Sequence, residues 1–239
     1  MKRNIVILFI LFVSVSAHSQ ILISLLLGDK LNSENIEFGL DGGITYSNVG
    51  GFSNDGGLAK FQLGFYFNIR MKNAWYLHTG VQGLTNLGMA KLSDGDLQIL
   101  DAQKLDYPGK YSEVINAFYV PILAQYRFKN FIYLEAGPQL GWLYNSFTHF
   151  TSDYDNRDIS IKENNRNLLN WFDAGLTVGG GYRLMKGKGW SVGMRYYQGL
   201  TNAFDGVPNS KNNALYLICK VPIGASPKDK NKGQPVSSD

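Results

Sequence analysis

The chain has 239 residues, a formal charge of +4 and one cysteine, Cys219; that fits one domain, excludes an intramolecular disulfide and offers no basic stripe for nucleic acid. Fourteen Tyr, fourteen Phe, four Trp and 27 Gly make aromatic and glycine content high while helix formers are modest. Zinc ligands are too few for a metal-centred fold.

The N-terminus reads as an export signal. Met1-Lys2-Arg3-Asn4 is a basic start, Ile5 to Val15 is a compact apolar run, and Ser16-Ala17-His18-Ser19-Gln20 offers small residues at cleavage spacing. This order predicts a cleaved signal peptide over 1–19, and the apolar run alone is too short to span a bilayer as a helix. Cleavage removes Lys2 and Arg3 but no acid, which takes the formal charge from +4 to +2. Residues 20–34, with the apolar run Ile21–Leu27, read as a periplasmic segment. That segment forms a helix, packs at the barrel mouth or contacts a partner.

Period-two alternation dominates the rest. In Lys60–Arg70, Phe61, Leu63, Phe65, Phe67 and Ile69 share one face, while Lys60, Gln62, Gly64, Tyr66, Asn68 and Arg70 share the other. In Ile132–Trp142, Ile132, Leu134, Ala136, Pro138, Leu140 and Trp142 alternate with Tyr133, Glu135, Gly137, Gln139 and Gly141. Eight such segments are predicted at 35–48, 58–70, 75–87, 114–128, 131–146, 170–184, 189–200 and 213–223. An even count permits antiparallel closure, which leaves no sheet edge and satisfies backbone groups in lipid. The predicted fold is all-β: an eight-stranded antiparallel up-and-down transmembrane barrel over 35–223, followed by a flexible polar tail at 224–239.

Connection lengths alternate. Met71–Ala74, Lys129-Asn130 and Met185–Lys188 are short, whereas Val49–Gly57, Gly88–Glu113, Phe147–Leu169 and Thr201–Asn212 are long. Outer-membrane barrels have short periplasmic turns and longer external loops, so a periplasmic N-terminus puts all three short turns on one side. Outward aromatics fall into two expected girdles. Phe67, Trp75, Tyr126, Phe128, Tyr182 and Trp190 lie beside the short turns; Tyr46, Phe118, Trp142, Phe172 and Tyr196 lie toward the long loops. Phe172 and Tyr182 are ten residues apart, about 25 Å along the membrane normal for a tilted strand, which is the height of a barrel's apolar band.

The opposite parity is read as the lumen. Ten glycines fall there, leaving room for long neighbours. Glu37, Asp41, Glu135 and Asp173 point inward with Lys60, Arg127, Arg183, Arg195 and Lys220, and Gln125, Gln139 and His78 join them in a structural polar network. Buried charges of both signs must pair. The outward Cys219 reads as a small lipid-facing residue.

The strand motifs carry a family resemblance. Tyr119-Val120-Pro121-Ile122-Leu123-Ala124-Gln125-Tyr126, Tyr133–Gly141, Phe172–Tyr182 and Arg195-Tyr196-Tyr197-Gln198-Gly199-Leu200-Thr201-Asn202 resemble, in order, strands of the outer-membrane β-barrel family that includes PorT-type proteins. The resemblance implies outer-membrane location and an eight-stranded barrel, with no catalytic residues carried over. Some PorT-like members are tied to secretion and gliding machinery, so it also implies envelope or secretion-system proteins as partners beside outer-membrane lipid.

Chemistry-bearing motifs are weak. Asp153-Tyr154-Asp155-Asn156-Arg157-Asp158 lacks the glycine and distal Glu of a calcium loop, and Arg157 occupies a ligand position, so it reads as solvated. Ser146, His149, Ser152 and Asp153 supply hydrolase residue types, but a triad is defined by geometry rather than proximity in sequence. Gly179-Gly180-Gly181 lies inside a strand with no helix after it, unlike a phosphate loop. The expected function is a non-enzymatic barrel acting through its external loops as a scaffold, surface binder or secretion and motility component, with no cofactor or metal. The alternatives are a lipid-modifying outer-membrane enzyme and, behind it, a passive pore, which eight strands leave little room for.

Overall fold

A computed structural model describes residues 31–33, 35–54, 56–154, 157–187 and 189–223. The segment 1–19 predicted as a signal peptide, the run Ile21–Leu27 and the tail 224–239 lie outside the described residues. Within them the chain forms β1 (Ile36–Val49), β2 (Gly56–Lys72), β3 (Trp75–Ala90), a short helix α1 (Asp94–Ile99), β4 (Lys110–Arg127), β5 (Ile132–Tyr154), β6 (Arg157–Asn164), β7 (Phe172–Arg183), β8 (Ser191–Gly199) and β9 (Asn212–Pro222).

Eight strands close into an antiparallel ring in the order β1-β2-β3-β4-β5-β7-β8-β9, with β9 paired back onto β1 from Gly39↔Pro222 to Val49↔Asn212. Asn32 fastens the seam at the short-turn end. Its Nδ2 donates to Ile223 O at 2.6 Å, and its Oδ1 accepts from Phe38 N at 2.8 Å. The strand β6 is additional and pairs with the extended upper half of β5 (Phe147↔Asn164 to Tyr154↔Arg157).

The alternation explains the closure. On β2, Phe61, Leu63 and Phe65 are 62%, 37% and 47% exposed, while Gln62 and Tyr66 between them are buried. The apolar face therefore points away from the ring and the polar face fills it, the reverse of a water-soluble sandwich.

Two expectations are corrected at the long-loop end. Phe147–Leu169, read as a loop, is mostly a β-hairpin made by β5 and β6, and the loop at Gly88–Glu113 is shortened by longer β3 and β4 and holds α1. The membrane-type alternation stops at residue 146 because the outward positions become Phe147, His149, Thr151 and Asp153 while Ser146, Thr148, Phe150 and Ser152 are buried. A strand with so polar an outer face carries no lipid-facing signature. Register shifts at Gln82/Thr85 and Asn116/Ala117 mark where the strands leave the barrel proper. Beyond these bulges apolar residues turn inward: Val49, Leu87, Met89, Ile115, Leu143 and Phe204 form a buried core with Leu100, packed on by Phe52, Leu168 and Val207. A bulge re-aims side chains, which is how one strand serves lipid below and a core above.

Candidate functional site

The lumen is filled in layers. Nearest the short turns, Glu37 accepts from Asn68 Nδ2 at 2.7 Å and from Arg183 Nη2 at 2.8 Å, and Arg127 Nη2 is 3.4 Å away. The Arg127 guanidinium also lies 3.7 Å over the Tyr76 ring. In the middle, Arg195 joins both acids: Nε to Glu135 Oε1 at 2.5 Å and Nη1 to Asp41 Oδ2 at 3.1 Å. Lys220 Nζ meets Glu135 Oε2 at 3.1 Å. Two acids thus face two bases within the buried layer, the pairing that buried charges require.

His78 completes the middle layer. Arg195 Nη2 lies 2.6 Å from its Nε2, and its Nδ1 lies 2.6 Å from Asn68 Oδ1. An arginine N–H only donates, so Nε2 accepts and Nδ1–H donates, which makes the ring neutral. Gln125 Nε2 donates to Glu135 Oε2 at 2.8 Å, and its Oε1 accepts from Arg127 Nε at 2.7 Å, linking the first two layers.

Asp173 forms the third layer without a base. It accepts from Tyr119 OH at 2.5 Å, Thr201 Oγ1 at 2.8 Å and Asn212 Nδ2 at 2.9 Å. Gln139 Oε1 accepts from Thr177 Oγ1 at 2.9 Å. Nearby, Thr45 Oγ1, Gln82 Oε1 and Gln139 Nε2 are buried without a protein partner among the described residues, the kind of site that holds ordered water.

Lys60 departs from the expected network. It is half-buried, makes none of the ion pairs among the described residues and sits where β2 shifts register between Gly57 and Gln62. Its charge acts instead on His149 of the hairpin. Sequence parity assigned its face, opposite the buried Thr45 of β1, but not its partners.

Glycines make the filling possible. A Cβ on Gly141 would strike the Tyr119 ring, and one on Gly39 or Gly175 would strike Tyr66 or Tyr197. Each tyrosine lies against the bare backbone of a neighbouring strand, so these three large rings fit in a narrow interior.

Outward aromatics lie at both ends of the ring. Trp75, Phe128, Tyr182 and Trp190 are exposed beside the short turns, where Trp75 and Tyr126 pack at 5.0 Å and Phe67 meets Phe38 at 5.1 Å. Tyr46, Phe118, Trp142, Phe172 and Tyr196 are exposed toward the other end. Trp171 and Tyr144 extend this second set, unassigned from sequence: Trp171 lies 5.1 Å from Trp142, and Tyr144 stacks on Phe118 at 4.9 Å.

Above this second set, the long-loop end is an ordered platform. Helix α1 starts with a reciprocal capping box: Ser93 Oγ accepts from Asp96 N at 3.2 Å, and Asp96 Oδ2 accepts from Ser93 N at 2.8 Å. Asp96 Oδ1 also accepts from Ser53 N, tying two loops together. This helix was missed within the assigned loop; the Ser93-x-x-Asp96 spacing is the signal that could have found it. Glu113, five residues above Phe118 and outside the lipid-facing band, is fully buried under the hairpin. Its Oε2 accepts from Thr148 Oγ1 at 2.8 Å and Asn165 Nδ2 at 3.0 Å, while Oε1 has no partner among the described residues. Burial raises its pKa to about 7, against the lowering pull of those two neutral donors. Glu113 was hidden from sequence because it fell inside an assigned loop.

The hydrolase residue types do not converge. Ser146 and Ser152 are on the buried face of β5, whereas His149 is on the opposite face. Ser146 Oγ donates to Asn165 Oδ1, and His149 Nε2 lies 2.9 Å from Ser160 Oγ across the hairpin. Partial burial and the cations Lys162 and Lys60 push the His149 pKa down. Asp153 pairs across the hairpin with Asp158 at its tip, and Asp155-Asn156 lie outside the described residues. Cys219 is half-exposed on the outer face of β9, and Gly179–Gly181 lie within β7.

Residues 28–205 match the family model described as outer membrane protein beta-barrel domain. No curated protein matches the chain. Among solved structures, Ail, the attachment invasion locus protein of Yersinia pestis, is 11% identical at a TM-score of 0.42, covering 80% of this chain and 99% of Ail. Neisserial surface protein A is 12% identical at 0.40, covering 79% and 97%. OprG from Pseudomonas aeruginosa is 13% identical at 0.35, covering 79% and 93%.

Proposed function

This chain belongs to the outer membrane protein β-barrel domain family, and from that premise we propose that it is a non-enzymatic surface-binding and assembly component of the bacterial outer membrane. Residues 1–19 export it and are cleaved, the short turns face the periplasm, and the long-loop end faces outward. The observation that carries the reading is a contrast between the two parts of the barrel. The lumen is packed with paired charges and tyrosines, so solute flow is not its business. The loops above it are folded into a β-platform with its own core, far more structure than closing a barrel needs.

The PorT-type resemblance of the strand motifs supports secretion or motility machinery as the partner class. The hairpin suits a protein partner: β6 has no further strand paired to its outer edge among the described residues, and its Lys162-Glu163 pair favours selective, charge-matched contact over indiscriminate strand addition.

Replacing Thr151–Ser160 by a two-residue Asn-Gly turn shortens the hairpin but spares Glu113, Thr148 and Asn165. Envelopes are solubilised gently and the tagged barrel is purified with its partners. The reading expects the variant to insert normally and lose its co-purifying envelope proteins. An unchanged partner set and phenotype refutes it, as does a stable large conductance in bilayer recordings of the native barrel.

A further inference from the structure

A groove of about 750 Å³ opens where the long-loop end meets the lipid-facing band, between the segment before β7 and the β8–β9 connection. Its floor is apolar and open: Trp171, Phe172 and Leu200 are 60%, 40% and 56% exposed. Trp171 packs against Trp142 and Phe172, so the floor runs without a break into the aromatic girdle. The upper wall is polar, with Asn202, Asn209 and Lys211, and no acid lines the groove. Lys211 makes none of the ion pairs among the described residues.

The walls are held in place by other groups. Asn170 Nδ2 donates to Asn202 O at 3.0 Å, and Asn170 N donates to Ala203 O at 2.8 Å. Thr201 Oγ1 accepts from Ala174 N and donates to Asp173, which roots the wall in the lumen's third layer. Lys211 N donates to Asn209 O and its carbonyl accepts from Gly50 N, fixing the far side. A groove so braced needs little ordering on binding.

We propose that this groove seats the phosphorylated sugar headgroup of an outer-leaflet glycolipid. The proposal rests on the outward orientation of the long loops given above. The exposed Trp171 ring provides a stacking plane for a sugar, the Asn202 and Asn209 amides provide donors and acceptors for its hydroxyls, and Lys211 meets the phosphate. The continuous apolar floor leads the acyl chains down into the leaflet over Phe172 and Leu200. A soluble phosphosugar would not use that floor, and an acidic protein would not need it, so a lipid is the occupant.

Native mass spectrometry of the detergent-solubilised full chain tests this directly. The protein is titrated with diphosphoryl lipid A, with its dephosphorylated form, and with phosphatidylglycerol. One diphosphoryl lipid A is expected to bind, at least tenfold better than the dephosphorylated form. Lys211→Gln and Trp171→Ala each lower occupancy about tenfold, Lys211→Arg retains it, and Lys186→Gln at the opposite end changes nothing. Each variant is first checked for the native mobility shift on heating, which separates lost binding from lost folding. Equal binding by Lys211→Gln and Trp171→Ala overturns the proposal, and so does phosphatidylglycerol binding as tightly as diphosphoryl lipid A. Detergent removes orientation from this test. Labelling of Ser160→Cys in a Cys219→Ala background on intact cells reports orientation separately, so failure of either reading is seen by itself.

Discussion

Replacing Glu113 by glutamine should stabilise the β4–β5–β6 platform at pH 8 and do almost nothing at pH 4.5. The carboxyl is fully buried, held by neutral donors only, and its pKa stands at about 7 against a usual 4.5. A folded acid with a raised pKa keeps its proton where the opened segment has lost it. Stability is therefore full below about pH 4.5 and falls as pH rises through about 7. The gap, at about 1.4 kcal/mol per pH unit, is worth about 3 kcal/mol at pH 8. Glutamine keeps an oxygen for Thr148 and Asn165 and carries no charge to desolvate, so it escapes that loss. Its amide leaves a buried donor unpaired, but so does the protonated acid, and the two cancel at low pH. The assay is amide hydrogen exchange of β5 and β6, corrected for intrinsic rates. Protection in the variant should exceed the native value by on the order of a hundredfold at pH 8 and match it at pH 4.5. An equal gain at both pH values, or none, refutes the reasoning.

Three further changes probe the interior and the loops. Arg195→Met strands Asp41 and Glu135 beside Lys220 alone and should cost about 3–5 kcal/mol, read as a lower urea midpoint in the heat-shift assay. Gly141→Ala drives a methyl into the Tyr119 ring and should cost about 1–3 kcal/mol by the same measure, whereas Gly206→Ala, whose Cβ meets nothing within 4 Å, should cost less despite its φ of +70°. Ser93→Ala removes the α1 cap and should destabilise that loop by about 1 kcal/mol, detected as faster protease nicking near Asp94–Ile99 with the barrel intact.

The barrel itself was legible from residue order. Parity alone determined which face of each strand meets lipid, because a strand's side chains alternate strictly and a bilayer accepts only apolar ones. Phe61, Leu63 and Phe65 could point nowhere but outward once Gln62 and Tyr66 pointed in. The lumen's charges could be named for the same reason, but not their partners. Arg195 reaches Glu135 and Asp41 over separations of 60 and 154 residues, across strands whose stagger only the closed ring sets. Bulges were equally invisible, since one inserted residue reverses parity without leaving a compositional trace. That is why Glu113, beyond the shift at Asn116/Ala117, was placed in a loop, while Lys60 kept its face but joins none of the ion pairs among the described residues. At the long-loop end the governing periodicity is no longer imposed by lipid. There the hairpin, the buried core under it and the groove beside Trp171 exist only because segments far apart in sequence close over one another, and tertiary packing alone decided them.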